Sequence, residues 1–321
     1  MTTKILIGDC IARMSDIEPG TVQTCVTSPP YWGLRDYGED GQHGLEETPE
    51  AYVANMVEVF RAVRRCLRDD GTLWLNLGDS YNGSGGVGGP GKQHTSAGSV
   101  SRPDNRKGWS GLKPKDLVGI PWRVAFALQA DGWFLRSDII WHKPNPMPES
   151  VTDRPTKGHE YVFLLSKSGR YFYDADAIRE QSSSATLKRN QYKRKRVQNG
   201  GGSPESMMAM GRDGIDFGDM VCGSHRNARS VWTITTRPYS GAHFATMPPQ
   251  LAELCIKAGS KMGDLVLDPY TGAGTTGLVA QHLRRSFVGC ELNPDYAALA
   301  EKRIRMDSPL FSSVSMDEVT P

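Results

Sequence analysis

The chain has 321 residues, 38% hydrophobic and 23% charged, a balance that suits one large α/β domain or one domain carrying a sizeable insertion. Its formal net charge of +2 is too small to mark a polyanion partner, so the placement of charge matters more than the sum. No apolar run reaches the length of a membrane span, and the N-terminal MTTKILIGDC lacks a signal-peptide core, so a soluble, cytoplasmic protein is expected. The six cysteines, Cys10, Cys25, Cys66, Cys222, Cys255 and Cys290, form no C-x-x-C pair and have no histidine at ligand spacing. They are read as reduced, mostly buried thiols, with no metal site.

Short β-runs alternate with amphipathic helical segments, which predicts a doubly wound, mostly parallel sheet of Rossmann-like α/β type. A strand over 4–7 ends in Gly8-Asp9, and a second over 21–27 runs into the stretch TSPPYWG. A helix over 48–67 has Thr48 at its N-cap and Pro49 at the first helical position, with Tyr52, Met56, Val59 and Val63 at helical spacing. Asp70-Gly71 predicts a turn into a strand over 72–77. Residues 81–111 are Gly/Ser-rich with scattered basic residues and read as a mobile loop. A helix over 115–130, bent or split at Pro121, precedes strands over 133–141 and 160–166. Residues 180–230 are irregular and include a basic run at 188–196. A strand over 230–235, a helix over 249–258 and a strand over 265–267 lead into DPYTGAGTT. A helix to about residue 284, a strand over 286–290 ending at Glu291, a helix over 294–305 and a frayed tail complete the reading.

LVLDPYTGAGTT is strand, glycine turn and helix. Gly272 and Gly274 permit a sharp turn with room for a ligand beside it, and the helix behind offers free N–H groups. Glu291, at the end of the next strand, stands where nucleotide-type folds place the acid that binds ribose hydroxyls. Three readings stand at this point. The turn is purely structural; or it holds a dinucleotide, for which Gly277 has the right spacing but Pro269-Tyr270 is wrong; or it holds an amino-bearing ligand such as S-adenosylmethionine, which Asp268 favours.

Together, TSPPYWG and DPYTGAGTT resemble the amino-methylating DNA methyltransferases, whose hallmark is a (D/N/S)-P-P-(Y/F/W) motif, matched by Ser28–Tyr31, and a cofactor motif of the form F-x-G-x-G, matched with Tyr270 in place of Phe. Catalytic motif first and cofactor motif last is the order of the β group of that family. The resemblance covers about 1–80, 115–175 and 230–305. It implies a catalytic turn of Ser28, Pro29, Pro30 and Tyr31. It implies S-adenosyl-L-methionine as cofactor, held by Asp9, Cys10, Phe244, Thr246, Asp268, Pro269, Tyr270, Gly272, Gly274, Thr275, Thr276, Glu291 and Leu292.

The chemistry explains the turn. An exocyclic amino nitrogen is a poor nucleophile because its lone pair is delocalised into the ring. Two acceptors on its N–H groups favour a more tetrahedral nitrogen and its developing positive charge. The Ser28 hydroxyl and the Pro29 carbonyl are the candidates, with the prolines stiffening the turn. Tyr31 is placed to stack on a base rotated out of the duplex. Ser in the first position of the motif points, within the family, to N4 of cytosine; the alternative is N6 of adenine. C5 methylation is excluded, since it needs a Pro-Cys nucleophile and no cysteine here follows a proline. A non-catalytic DNA-binding relative is the rival from another class.

The resemblance also implies DNA as partner and a cognate restriction endonuclease in a prokaryotic or phage setting. The basic run supplies Lys188, Arg189, Lys193, Arg194, Lys195 and Arg196 as candidate DNA contacts, with Tyr192 among them. The expected organisation is a catalytic half at 1–175, a target-recognition region at 176–230, a cofactor half at 231–306 and a flexible tail at 307–321.

Overall fold

The computed structural model describes residues 1–82, 111–182, 225–236, 247–307 and 313–317. The expected mobile loop, the basic run at 188–196, and Phe244 and Thr246 lie outside those residues. The larger of two compact units comprises residues 1–173 and 230–321; the smaller comprises 174–229.

In the larger unit the strands are β1 (Thr2–Ile7), β2 (Val22–Thr27), β3 (Leu67–Leu77), β4 (Phe134–His142) and β5 (His159–Ser166). After them come β8 (Val231–Thr233), β9 (Leu265–Asp268), β10 (Ser286–Glu291) and β11 (Ser313–Asp317). The smaller unit contributes the short antiparallel pair β6 (Glu180–Gln181) and β7 (His225–Arg226). Its Glu180 accepts from Arg226 and Arg229. The helices are α1 (Cys10–Met14), α2 (Pro49–Cys66), α3 (Ile120–Ala130), α4 (Pro249–Gly259), α5 (Thr275–His282) and α6 (Pro294–Asp307).

Among the described residues the main sheet has the order β11-β1-β10-β9-β2-β3-β5-β4-β8. Only the two pairings of β5, with β3 and with β4, are antiparallel. Alternation along each strand feeds two faces. Leu6, Cys25, Leu73, Leu75, Phe163 and Leu267 pack with α1, α2 and α3 into one core cluster. Ile5 and Ile7 point the other way, onto Ala297, Ala300 and Ile304 of α6. Near-continuous burial of β2 and of the second half of β3 is what a sheet covered on both faces requires.

Strand order reverses between the parallel neighbours β9 and β2: from β9 the chain steps outward to β10 on one side, and from β2 to β3 on the other. A crevice opens at the carboxyl ends of strands at such a switch point, and ligands of open α/β sheets bind there. Register brings the ends level, with Ile7 opposite Glu291, Gly289 opposite Asp268, and Leu267 opposite Cys25.

The structure shifts several boundaries. Residues 115–119 are not helical: Lys115 and Gly119 have φ of 73° and 78°, and the helix starts at Ile120. Pro121 then falls in the first turn, where its missing N–H costs nothing, so it starts the helix rather than bending it. β3 begins at Leu67, before the expected Asp70-Gly71 turn, with a register irregularity against β2 between Val22 and Thr24. Within the stretch read as a frayed tail, residues 313–317 form β11 and pair in parallel with β1.

Candidate active site

The four strand ends surround one cleft. Its lining comes from Gly8, Asp9 and Cys10 after β1, from Ser28 and Pro30 after β2, from the turn 268–273, and from Glu291, Leu292 and Asn293 after β10. The segment after the prolines contributes Tyr37, Glu39, Gln42 and His43. Counted to its open mouth, the cleft holds about 1050 Å³ of empty space, at the upper end of small-molecule sites.

Asp268 is 3% exposed and is held by three donors. Its Oδ1 accepts from Thr27 Oγ1 at 2.7 Å and from the Tyr270 amide at 3.0 Å, and its Oδ2 accepts from Thr276 Oγ1 at 2.7 Å. One carboxylate thus ties the end of β2 and the start of α5 to the glycine turn. Burial is the main force on it and pushes its pKa up to about 7; the three donors act the other way and nearby Glu291 adds to the rise.

Glu291 holds the other side of the turn. Its Oε2 accepts from the Gly272 amide at 2.7 Å and its Oε1 from the Asn293 amide at 3.1 Å. Burial raises its pKa as well. Gly272 has φ 51°, and a Cβ there would meet only the Tyr270 carbonyl, at 4.0 Å. The residue is therefore required by conformation, and the space beside it is open. Gly277 serves packing instead: a Cβ would lie 2.8 Å from both Ile304 and Phe287. The Asp9 carboxylate caps α1, accepting from the Ala12 amide at 2.9 Å. Burial raises the Cys10 thiol to about 12, so it is an apolar wall rather than a nucleophile. Tyr270 OH and His43 Nδ1 lie 2.8 Å apart, with the two rings edge to face.

The described lining residues include four acids, Asp9, Glu39, Asp268 and Glu291, and neither lysine nor arginine. Asn293 Nδ2 donates to Glu39 Oε1 at 2.6 Å, which aims Glu39 at the end of β10.

On the β2 side, Tyr52 OH donates to the Pro30 carbonyl at 2.9 Å and so pins the proline turn onto α2. Among the described residues nothing donates to the Pro29 carbonyl. The Tyr31 ring lies against Gly78, where a Cβ would come within 2.5 Å of Tyr31 Cε2. Tyr31 also has polar partners that its aromatic character does not announce. Its hydroxyl donates to Glu160 Oε2 at 2.7 Å and accepts from Asn76 Nδ2 at 2.5 Å and from Ser28 Oγ at 3.3 Å. Lys143 is ion-paired to Glu160 and sits over the Trp141 ring at 4.3 Å.

Of the residues singled out by sequence, Asp9, Cys10, Ser28, Pro30, Asp268, Pro269, Tyr270, Gly272, Thr275, Thr276, Glu291 and Leu292 converge on the cleft. Pro29, Tyr31 and Gly274 are not among the lining residues; Gly274 is the left-handed residue before α5. Met247, next to the segment holding Phe244 and Thr246, lines the cleft. Glu39, His43, Asn76, Lys143 and Glu160 were not foreseen. Asn76 was detectable as the one amide inside the apolar run TLWLNL; the others lie in stretches without periodicity or at a strand's first residues.

A family profile for DNA methylases matches residues 22–302. The chain belongs to the N6/N4 DNA methylase family. The Citrobacter freundii Type II methyltransferase M.Cfr9I is 46% identical over 299 residues, spanning 93% of this chain and 86% of the relative. The Serratia marcescens Type II methyltransferase M.SmaI is 47% identical over 303 residues, spanning 94% and 90%. Among solved structures, PvuII DNA methyltransferase (cytosine-N4-specific) aligns with a TM-score of 0.61 at 18% identity, covering 98% of this chain and 96% of that one. A Thermus thermophilus protein described as a DNA modification methylase, solved with S-adenosyl-L-methionine, aligns with a TM-score of 0.59 at 22% identity, covering 99% and 100%. At those identities the structural matches speak for the fold, a Rossmann-like α/β sheet. Among the described residues no helix is long and apolar enough to cross a membrane, and none of the His/Cys/Asp/Glu groups could hold a metal ion.

The cofactor of this methylase is S-adenosyl-L-methionine, and the cleft fits it. The molecule carries an ammonium, a carboxylate, a sulfonium and ribose hydroxyls but no phosphate; its net charge is positive, and the described lining is acidic. The four acids of the described lining favour that cationic ligand over a dinucleotide, whose pyrophosphate they would repel.

Proposed function

We propose that this methylase is a site-specific Type II DNA methyltransferase that methylates the exocyclic N4 of cytosine. The carrying observation is Ser28, rather than an acidic residue or Asn, at the head of the proline turn and on the wall of the acidic cleft. Support comes from the relatives named Type II methyltransferases and from the cytosine-N4-specific enzyme of like fold.

The bound cofactor supplies an activated methyl group. Asp268, Glu291, Asp9 and Glu39 offer carboxylates to its ammonium and ribose, and Tyr270, Pro269, Cys10, Leu292, Gly272, Gly274, Thr275, Thr276, Phe244 and Thr246 complete the proposed pocket. At the reacting nitrogen Ser28 Oγ and the Pro29 carbonyl act as acceptors, since each N–H bond so held favours the tetrahedral nitrogen. The Tyr31 ring, braced on Gly78, is assigned as the stacking platform for a base taken out of the stack. Its hydroxyl is occupied by protein partners, so stacking and not a hydrogen bond is what it offers the base. Pro30 is held by Tyr52 and keeps the turn rigid.

DNA contacts are assigned to the region around 176–230, with Lys188, Arg189, Lys193, Arg194, Lys195 and Arg196 on the phosphates. A bacterial cytoplasm and a cognate endonuclease complete the reading. The test is nucleoside analysis of DNA methylated by the purified protein, followed by base-resolved mapping. N4-methylcytosine at one short sequence is expected; N6-methyladenine alone would overturn the cytosine assignment while leaving the methylase intact.

A further inference from the structure

Glu160 and Asn76 come from different strands but share a sheet face. Asn76 is opposite Val162 in the β3–β5 ladder, and Glu160 is two residues from Val162 on β5. Side chains two apart on a strand point the same way, so the carboxylate and the amide meet diagonally beside the end of β2.

The donors and acceptors there can be counted. A carboxylate only accepts, so the proton between Tyr31 OH and Glu160 belongs to Tyr31. The Asn76 amide lies 2.8 Å from the same Glu160 oxygen, which requires its NH₂ end there and lets its second hydrogen reach Tyr31. Tyr31 oxygen then has one lone pair left, and the Ser28 hydroxyl is the donor that fills it. The Ser28 proton is thereby turned away from the cleft and both its lone pairs are free to face it. The 3.3 Å separation is longer than the ~2.7–2.8 Å usual for O–H···O, as catalytic contacts in unliganded sites often are. Burial and the nearby Glu160 both raise the Tyr31 hydroxyl well above its ordinary value, which keeps it a donor.

We propose that Glu160, acting through Tyr31, is the positioning residue that fixes the Ser28 hydroxyl as a hydrogen-bond acceptor for the target amino group. Lys143 and Asn76 hold Glu160 in place. An unaided serine hydroxyl can present either its proton or its lone pairs, and only the second helps an N–H donor. Hydrogen-bond chains also polarise one another, so the carboxylate makes Ser28 a better acceptor as positive charge grows on the nitrogen.

The inference rests on Ser28 being the acceptor, and a double-mutant cycle separates the two claims. Single-turnover methyl transfer from labelled S-adenosyl-L-methionine to unmethylated duplex DNA is measured for Ser28→Ala, Tyr31→Phe, Glu160→Gln and the double variants. Equilibrium cofactor binding and Tm are controls. Tyr31→Phe and Glu160→Gln are each expected to slow transfer ~10-fold with cofactor affinity unchanged, and to cause less than ~2-fold further loss in the Ser28→Ala background, because residues acting as a unit are non-additive. Multiplying losses, or a Tyr31→Phe rate equal to wild type while Ser28→Ala is slow, overturns the relay and leaves the proposed function standing. A wild-type rate for Ser28→Ala overturns both. Should Tyr31→Phe lose its fold, Glu160→Gln carries the same comparison.

Discussion

Asp268→Asn should separate what the buried carboxylate does for the fold from what it does for the ligand. The amide can keep the geometry: Oδ1 accepts from Thr27 and Tyr270, and Nδ2 donates to a rotated Thr276 hydroxyl. What is lost is ionisation. The native carboxyl is raised from an ordinary 3.8 to about 7, so the folded state holds a proton that the unfolded chain has released between those values. The native protein therefore loses stability as pH rises through this window, and the asparagine variant does not. At ~1.4 kcal/mol per pH unit the full difference is on the order of 4 kcal/mol. Glu291 is shifted in the same direction and is present in both proteins, so the difference curve reads Asp268 together with its coupling to Glu291. The assay is denaturant unfolding of the ligand-free proteins from pH 4 to pH 8, with cofactor affinity measured alongside. The variant should gain on the native protein by several kcal/mol across that range while binding S-adenosyl-L-methionine more weakly, most of all at pH 8. Parallel stability profiles would refute the reasoning.

Ser28→Ala should lower methyl transfer at least ~10²-fold with cofactor binding retained, by analogy with removal of one oxyanion-type partner; an unchanged rate takes Ser28 out of the mechanism. Gly78→Ala puts a methyl group 2.5 Å from Tyr31 Cε2, so it should displace the ring, cost ~1–3 kcal/mol in unfolding experiments and slow transfer. Deleting 186–200 should weaken DNA binding and flatten its dependence on salt; an unchanged slope places the phosphate contacts elsewhere.

The parts of the site legible in sequence are those where one short segment carries a whole motif. SPPY and DPYTGAGTT each end a strand, and a parallel sheet brings such ends together at one edge, so two local signals were enough to locate the cleft. Thr48-Pro49 likewise announced α2: the Thr48 side chain accepts from the Ala51 amide at 3.1 Å. What escaped depends on pairing at a distance. Nothing in EYVFLLS says that β5 inserts antiparallel between β3 and β4, yet that register alone brings Glu160 to Asn76 and Tyr31. Glu39 and His43 arrive on an irregular segment whose turns have no apolar period. β11 shows how a weakly patterned SVSMD can still be a strand when β1 offers it an open edge.

The acids of the cleft carry one further consequence. Asp268 is buried and Glu291 half-buried; Glu291 adds to the rise of Asp268, and Glu39 to that of Glu291. The ligand-free site thus carries a negative charge load that opposes its own compactness. A ligand bearing a permanent sulfonium charge offsets that load, and the offset grows as the acids ionise. Ligand binding stabilises the native state by RT ln(1 + [L]/Kd), so the gain at fixed concentration reads the affinity directly. S-adenosyl-L-methionine should therefore raise Tm more at pH 8 than at pH 6, because the Asp268 carboxyl crosses its pKa of about 7 between them. S-adenosylhomocysteine keeps the ammonium and ribose but has lost the charge on sulfur, and its Tm shift should depend less on pH. Equal pH dependence for the two ligands would place the acids' effect on the ammonium that both carry, and no pH dependence in either would mean that the acids serve the turn alone.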